Sequence, residues 1–489
     1  MERQIMKLYS ANDVYELWQG NMLDMLDVIK PNFVSSIVTD PPYELNFMGK
    51  GWDNSGIAFQ KETWEKCYTV LKPGGYLLAF GGTRTFHRIA CAIEDAGFEI
   101  RDTIMWLYGS GFPKSMNIGL AIDKKEGVQE QRGVGGFNVG GIQEQQNRTA
   151  KLYIGSTTDG SKQDAYTDYK SDSAKQWAGW GTALKPAYEP IIVARKPCEG
   201  STTDNVLKYG VGGINIDEGR VPFEDTPNPA TNPLYRLQNG YRTTANSDDG
   251  DSVVGFGTSK NETSALGRFP SNVILTYDET DEQEVCGGMP DTVSSGGSGE
   301  ASTQNRFKNV YGEYKSGECA SHLGGLGDSG NASRYFYTAK ASVKDRDEGL
   351  DSLPDMKLAF GNQAQAELKR GNTFDEGGFN KILVRKNIHP TVKPVDLMQY
   401  LVRLVTPKGA IILDPFNGSG STGKAVMYEN TERQADYKYI GIELTEQYLP
   451  ISKARIEHAM TVIPHLDDMP KKVQDAVKKD RARSNSRLF

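Results

Sequence analysis

Asp40-Pro41-Pro42-Tyr43 puts a carboxylate, a proline-fixed backbone and an aromatic ring within four residues. An exocyclic amino group on a flat base is a poor nucleophile, because its lone pair is delocalised into the ring. A site that activates it must accept both N–H hydrogens and draw the nitrogen toward tetrahedral geometry. Asp40 supplies one acceptor and the carbonyl of Pro41 a second, and the two prolines hold the backbone that carries them. Tyr43 offers a stacking face, a contact worth about 1–3 kcal/mol for a base. Asp and Pro are also ordinary turn formers, so this motif by itself reads as readily as a strand-end turn.

A second motif changes that weighting. Asp414-Pro415-Phe416-Asn417-Gly418-Ser419-Gly420 follows 374 residues later (414 minus 40), directly behind the apolar run Ile411-Ile412-Leu413. A strand, a glycine turn and then a helix is the geometry in which backbone N–H groups receive an anionic group. Glu443 ends the run Tyr439-Ile440-Gly441-Ile442, 23 residues past Gly420, where an acidic side chain is placed to accept ribose hydroxyls. The pair describes a site for an adenosine-bearing cofactor. Gly418 to Lys424 also spells a phosphate-loop pattern, but Ala425 stands where that loop needs Ser or Thr for magnesium.

These residues need a frame. Val34–Val38, Tyr76–Phe80 and Phe98–Leu107 read as strands, with helical spacing over Thr63–Leu71 and Phe86–Ala96. The alternation returns with a helix over Val395–Val405, strands over Ala410–Leu413 and Lys438–Ile442, and a helix over Glu446–Ala459. Strands alternating with helices predict a mostly parallel sheet covered on both faces. Between these halves, Gly-, Ser-, Asn- and Asp-rich stretches predict long loops around short structured islands. The expected organisation is a catalytic half over 1–198 with a loop insertion at about 116–176, an insertion over 199–381, a cofactor half over 382–462 and a polar tail over 463–489.

The bulk properties set limits. With 489 residues the chain is long enough for two to four domains, or for one core carrying large insertions. Five scattered cysteines argue against a disulfide framework and a four-cysteine zinc site, and no metal is expected. No apolar run approaches the roughly 20 residues that span a membrane. The first residues lack the apolar stretch of a signal peptide, so a reducing cytoplasm is the expected setting. A net charge of −7 does not advertise a nucleic-acid partner, yet affinity for one depends on a local basic face.

Taken together, the two motifs resemble those of the S-adenosylmethionine-dependent DNA amino-methyltransferases of D-P-P-Y type, which act on adenine N6 or cytosine N4. Their order matches the permuted, or β-class, group, in which the catalytic half precedes the cofactor half. The resemblance implies an α/β, Rossmann-like doubly wound sheet, permuted in motif order, with target recognition in the intervening insertion. It implies catalytic roles for Asp40, Pro41, Pro42 and Tyr43. It implies cofactor contacts from Asp414, Pro415, Phe416, Asn417, Gly418, Ser419, Gly420, Glu443 and Leu444, with Asp40 facing both sides. His389, Thr391 and Lys393 resemble the segment that closes over the methionine end of the cofactor, and Asn21 stands where the family has an Asp near the adenine. Leu184–Ala194 resembles the antiparallel strand of the methyltransferase sheet. Asp at position 40, where many cytosine-N4 members have Ser, tilts the reading toward adenine.

The resemblance also implies double-stranded DNA as partner, a flipped target base, a bacterial or phage origin and a restriction-modification setting. It admits a homodimer and leaves any partner nuclease unassigned. Candidate DNA contacts are Arg220, Arg236, Arg242, Arg268, Arg306, Lys308, Arg334, Lys340, Lys344 and Arg346, interleaved with Tyr209, Tyr235, Tyr241, Phe307, Tyr335, Phe336 and Tyr337. Phe47, Met48 and Trp52 are candidates for a lid over the base. A non-catalytic cofactor- or DNA-binding regulator is the alternative from another class, and an intact Asp40 and Tyr43 weigh against it. Pro197-Cys198 lies in the wrong order for a cytosine-C5 nucleophile and reads as incidental.

Overall fold

The computed structural model describes residues 6–45, 51–108, 115–128, 169–221, 268–276, 289, 291–293, 329–339, 344–360 and 381–462. Two compact units are distinguished: residues 1–109, 188–356 and 385–489 form one, and residues 110–187 with 357–384 form the other. The lid candidates Phe47 and Met48, the Trp52 side chain, the candidate DNA contacts Arg236, Arg242, Arg306, Lys308, Lys340, Tyr235, Tyr241 and Phe307, the Arg334 and Lys344 side chains and the 463–489 tail lie outside the described residues.

The first unit is organised by ten strands: β1 (Lys7–Ala11), β2 (Tyr15–Gln19), β3 (Val34–Thr39), β4 (Leu71–Phe80), β5 (Glu99–Tyr108), β6 (Tyr188–Arg195), β7 (Val273–Thr276), β8 (Tyr337–Thr338), β9 (Ile411–Asp414) and β10 (Lys438–Glu443). Their spatial order is β1-β2-β10-β9-β3-β4-β6-β5-β7-β8. From β2 to β4 all neighbours run parallel, and β6 runs antiparallel to both β4 and β5. The strand expected at Leu184–Ala194 is β6, beginning four residues later.

Two-residue alternation decides what each strand feeds. Val38, Leu78, Phe80 and Ile412 point to a core shared with helices α5 (Val395–Val405), α6 (Ser421–Arg433) and α7 (Leu449–Thr461). Their neighbours Ile37, Leu77, Ala79 and Leu413 point to the other face, packed by α1 (Met22–Leu26), α2 (Lys61–Val70) and α3 (Phe86–Asp95). The sheet is doubly wound, as expected.

Three local expectations are corrected. The strand expected over Tyr76–Phe80 starts earlier, at Leu71, and carries a bulge at Lys72-Pro73-Gly74-Gly75: Val34 pairs with Leu71, and Ser36 then pairs with Tyr76. Gly74 takes φ +78°, and a Cβ there would stand 2.1 Å from Asn205 Nδ2, so only glycine fits. Second, β7 and β8 fall in the segment expected to be a separate insertion, yet they extend the main sheet beyond β5. Third, the expected loop at 116–176 contains helix α4 (Ile118–Glu126) and a short helix at Asp172–Gln176. Asn117 and Ser171 cap them, and Asp123 accepts the backbone N–H groups of Lys170 and Ser171 at 2.9 Å each.

Candidate active site

Asp40 follows directly on β3 and Asp414 ends β9, its parallel neighbour, so the two motifs meet at the carboxyl ends of adjacent strands. That edge is where open α/β sheets hold ligands. Glu443 ends β10 and Asn21 follows β2, both at the same edge. Because β6 runs antiparallel, its start brings Glu189 there too.

At the first motif, Asp40 Oδ2 accepts from Lys393 Nζ at 2.6 Å, while Asp40 Oδ1 is buried with no hydrogen-bond partner among the described residues. Lys393 is buried, 3.5 Å from Glu189 Oε2 and over the rings of Tyr43 and Phe80. Burial would depress its ammonium, but the charges of Asp40 and Glu189 outweigh that and hold it above its ordinary value. Tyr43 donates its hydroxyl to Glu189 Oε2 at 2.7 Å. Burial, then the charges of Asp40 and Glu189, push its phenol well up, so it stays neutral. Thr85 Oγ1 holds the Tyr43 carbonyl at 2.8 Å.

The turn leaving Tyr43 is also fixed. Glu44 adopts φ +55°, and Asp53 accepts the N–H groups of Glu44 and Leu45 at 3.0 and 3.2 Å. Glu44 returns a bond to the Gly56 N–H at 2.8 Å.

The glycine loop after Asp414 is held from beneath. Asn417 donates to Ser452 Oγ at 2.8 Å and accepts from Tyr439 OH at 2.7 Å. Arg455, fully buried on α7, donates to the Ser419 carbonyl at 2.7 Å and to the Ser419 and Ser421 hydroxyls. Gly418 and Gly420 take φ +52° and +74°, and a Cβ on Gly418 would stand 2.9 Å from His389 Nε2. Phe416 packs beside Trp64, with ring centroids 6.4 Å apart.

Several of the expected site residues hold partners within the fold. Asn21 caps α1, its Oδ1 accepting the Leu23 N–H at 3.0 Å. Asp414 spends its oxygens on Thr39, Thr422 and the Phe416 N–H, and burial raises its carboxyl to about 6. Glu443 accepts the Gly418 and Thr445 N–H groups at 2.7 Å each, with its carboxyl raised to about 7, burial being the main cause. Leu444 beside it is 51% exposed. His389 bonds the Thr391 carbonyl at 2.6 Å and sits edge-on to Tyr448; burial lowers its imidazole to about 4, so it is neutral. Lys424, the decoy phosphate-loop lysine, is buried in α6 on Glu348 at 2.6 Å.

Two candidate DNA contacts have structural partners instead. Arg346 donates to the carbonyls of Asn387, His389 and Pro390 at 3.3, 3.0 and 3.1 Å, and Tyr337 stacks on buried Tyr400 with centroids 4.0 Å apart. Cys198 follows the far end of β6, whose Arg195 pairs with Tyr76 just past the β4 bulge, away from Asp40. Sequence reasoning missed Glu189, Thr39, Thr422 and Arg455. A carboxylate opening an otherwise apolar strand was the signal for Glu189. An arginine in register with the apolar stripe Ile451, Ile456 and Ala459 was the signal for Arg455.

A family model described as DNA methylase matches residues 34–454. The type II methyltransferase M2.LlaDCHI of Lactococcus lactis subsp. cremoris is 36% identical over 236 residues, covering 42% of this chain and 82% of that protein. M2.MboI of Moraxella bovis is 40% identical over 75 residues, covering 15% of this chain and 25% of that protein. The chain spans less than half the length of the first curated relatives that it matches. Among solved structures, the cytosine-N4-specific PvuII DNA methyltransferase has a TM-score of 0.36 at 11% identity, covering 92% of this chain and 88% of that one. M1.HpyAVI has a TM-score of 0.33 at 12% identity, covering 90% and 98%.

Proposed function

The chain belongs to the DNA methylase family, and on that premise we propose that it is a site-specific DNA methyltransferase that methylates the N6 amino group of adenine in duplex DNA, using S-adenosylmethionine. The observation that carries the reading is Asp40 Oδ1, a buried carboxylate oxygen with no partner among the described residues. Leaving such an atom unpaired costs about 1–3 kcal/mol or more, so an amino N–H delivered there gains strongly. A base reaches this recess only by leaving the stack. Tyr43, fixed at its hydroxyl and its carbonyl, is the platform for it.

The donor set fits the cofactor. Glu443 takes the ribose hydroxyls, half-exposed Leu444 offers an apolar face to the adenine, and the 415–420 backbone with His389 and Thr391 holds the amino-acid end. When bound, the cofactor supplies an electrophilic methyl group on a sulfonium. Asp40 and the Pro41 carbonyl orient the amino nitrogen and stabilise the positive charge that grows on it. Soluble cytoplasmic action in a type II restriction-modification setting is part of the same reading; among the described residues no helix is long and apolar enough to cross a membrane.

The test is incubation of the purified protein with S-adenosylmethionine and unmethylated duplex DNA, followed by mass spectrometry of the nucleosides. N6-methyladenine supports the proposal. N4-methylcytosine replaces its target base, and no modified nucleoside overturns it.

A further inference from the structure

Resting on the methyl-transfer reading above, we propose that Glu189 is a positioning residue of this site: it holds Lys393 and Tyr43 and offsets the lysine's charge, so that Asp40 meets the target nitrogen within a net negative cluster. Lys393 Nζ stands 2.6 Å from Asp40 Oδ2, and its side chain is only 6% exposed. An ammonium so close in a recess with little water would by itself cancel the charge of Asp40. Glu189 reaches the same ammonium at 3.5 Å from a different strand and takes the Tyr43 hydroxyl at 2.7 Å. Asp40, Glu189 and Lys393 then sum to −1. Tyr43 and His389 add nothing to that sum, because burial keeps both neutral. Tyr108, whose hydroxyl lies 3.5 Å from Glu189 Oε1, is kept neutral in the same way.

The charge balance matters at one moment. The nitrogen lone pair forms the new N–C bond, the methyl's bond to sulfur breaks with its pair on sulfur, and the nitrogen is cationic until one N–H proton leaves to solvent. A net negative surrounding stabilises that cation, and a neutral one does not. Glu189 acts through Lys393 and Tyr43 rather than on the base.

Single-turnover methylation of duplex DNA by the full chain tests this. Glu189→Gln, which keeps shape and loses charge, should lower the rate constant about tenfold to a hundredfold, with KM for DNA changed by less than about threefold. Adding Lys393→Gln restores the −1 sum, so the double variant should run at least about fivefold faster than Glu189→Gln alone. A purely structural role would give a double variant no faster than the single one. That result, or an unchanged rate in Glu189→Gln with thermal unfolding intact, overturns the proposal. A readout without methyl transfer stands beside it: acetylation of Lys393 by acetic anhydride at fixed pH, followed by mass spectrometry. It should be faster in Glu189→Gln, because less of the amine is held protonated; equal rates overturn the pairing. If the unsubstituted protein methylates no DNA, the functional reading fails while this measurement still decides the pairing.

Discussion

Thr39 donates its hydroxyl hydrogen to Asp414 Oδ1 across 2.6 Å, joining residues 375 apart in the chain. They end adjacent parallel strands, so the bond sets the spacing between Asp40, one residue on, and the glycine loop that begins at Asp414. Asp414 is 2% exposed, and its other oxygen takes the Thr422 hydroxyl at 2.7 Å. Thr39→Val removes one donor from a buried carboxylate, which costs about 1–3 kcal/mol. The urea midpoint should fall accordingly and the methylation rate with it; an unchanged midpoint would show that the bond contributes nothing.

Asp40→Ala should abolish methylation, a loss of at least about a hundredfold for removing a preorganised acceptor. Affinity for S-adenosylhomocysteine, read by calorimetry, should stay within about threefold, since the contacts proposed for it come from Glu443 and the 415–420 backbone. Full activity in this variant would remove Asp40 from the chemistry.

Much of this architecture is visible in the residues. Each face of the sheet is written in two-residue alternation, as in Ile37 and Val38 or Leu77 and Leu78, and the helix at Val395–Val405 is read to the residue because its apolar positions repeat without interruption. The motifs are visible because glycine and proline mark special backbone. What stays hidden depends on register. That Glu189 and Lys393 converge on Asp40 follows from which strands are neighbours and which one is antiparallel, and no local pattern states that. Likewise Arg346 and Tyr337 have the composition of DNA contacts, and only their partners reveal a structural use.

Glu443 gives the stability a pH dependence. Its carboxyl rises from 4.5 to about 7 in the folded protein. The folded state therefore holds the proton more tightly than the unfolded chain. The stabilisation is fully present below about pH 4.5 and is lost as pH rises through about 7, a change of roughly 3 kcal/mol. Glu443→Gln lacks this titration, and any cost of placing an amide donor against the Gly418 or Thr445 N–H is independent of pH. Stability of the variant relative to the unsubstituted protein should thus increase from pH 5 to pH 7.5 in urea titrations. A difference that is flat or falls over that range contradicts the assignment.

Gly418→Ala should weaken the glycine loop proposed to hold the cofactor twice over. Its φ of +52° disfavours a side chain, and the new Cβ would press on His389 Nε2 at 2.9 Å. Strain of this kind costs about 1–3 kcal/mol. Calorimetry with S-adenosylhomocysteine should show an affinity loss of about tenfold or more, alongside a lower unfolding temperature. Tight binding retained in this variant would mean that the loop relaxes freely.

Arg346 separates a structural role from a DNA contact. Its guanidinium gathers the carbonyls of Asn387, His389 and Pro390, the stretch that leads into Thr391 and Lys393. Asn387 is bound in return, its side chain donating to the Arg346 carbonyl at 2.8 Å and its N–H to Asp347 at 3.0 Å. Arg346→Ala would leave three carbonyls short of a charged donor and loosen the segment that seats Lys393 on Asp40. Cofactor affinity and methylation rate should both drop, by about tenfold or more. A phosphate contact predicts something else: DNA affinity would fall uniformly across sequences, and the slope of its logarithm against log salt would shrink by about one. An unchanged slope with weakened cofactor binding assigns Arg346 to the fold of the site, and a reduced slope with normal cofactor binding assigns it to DNA.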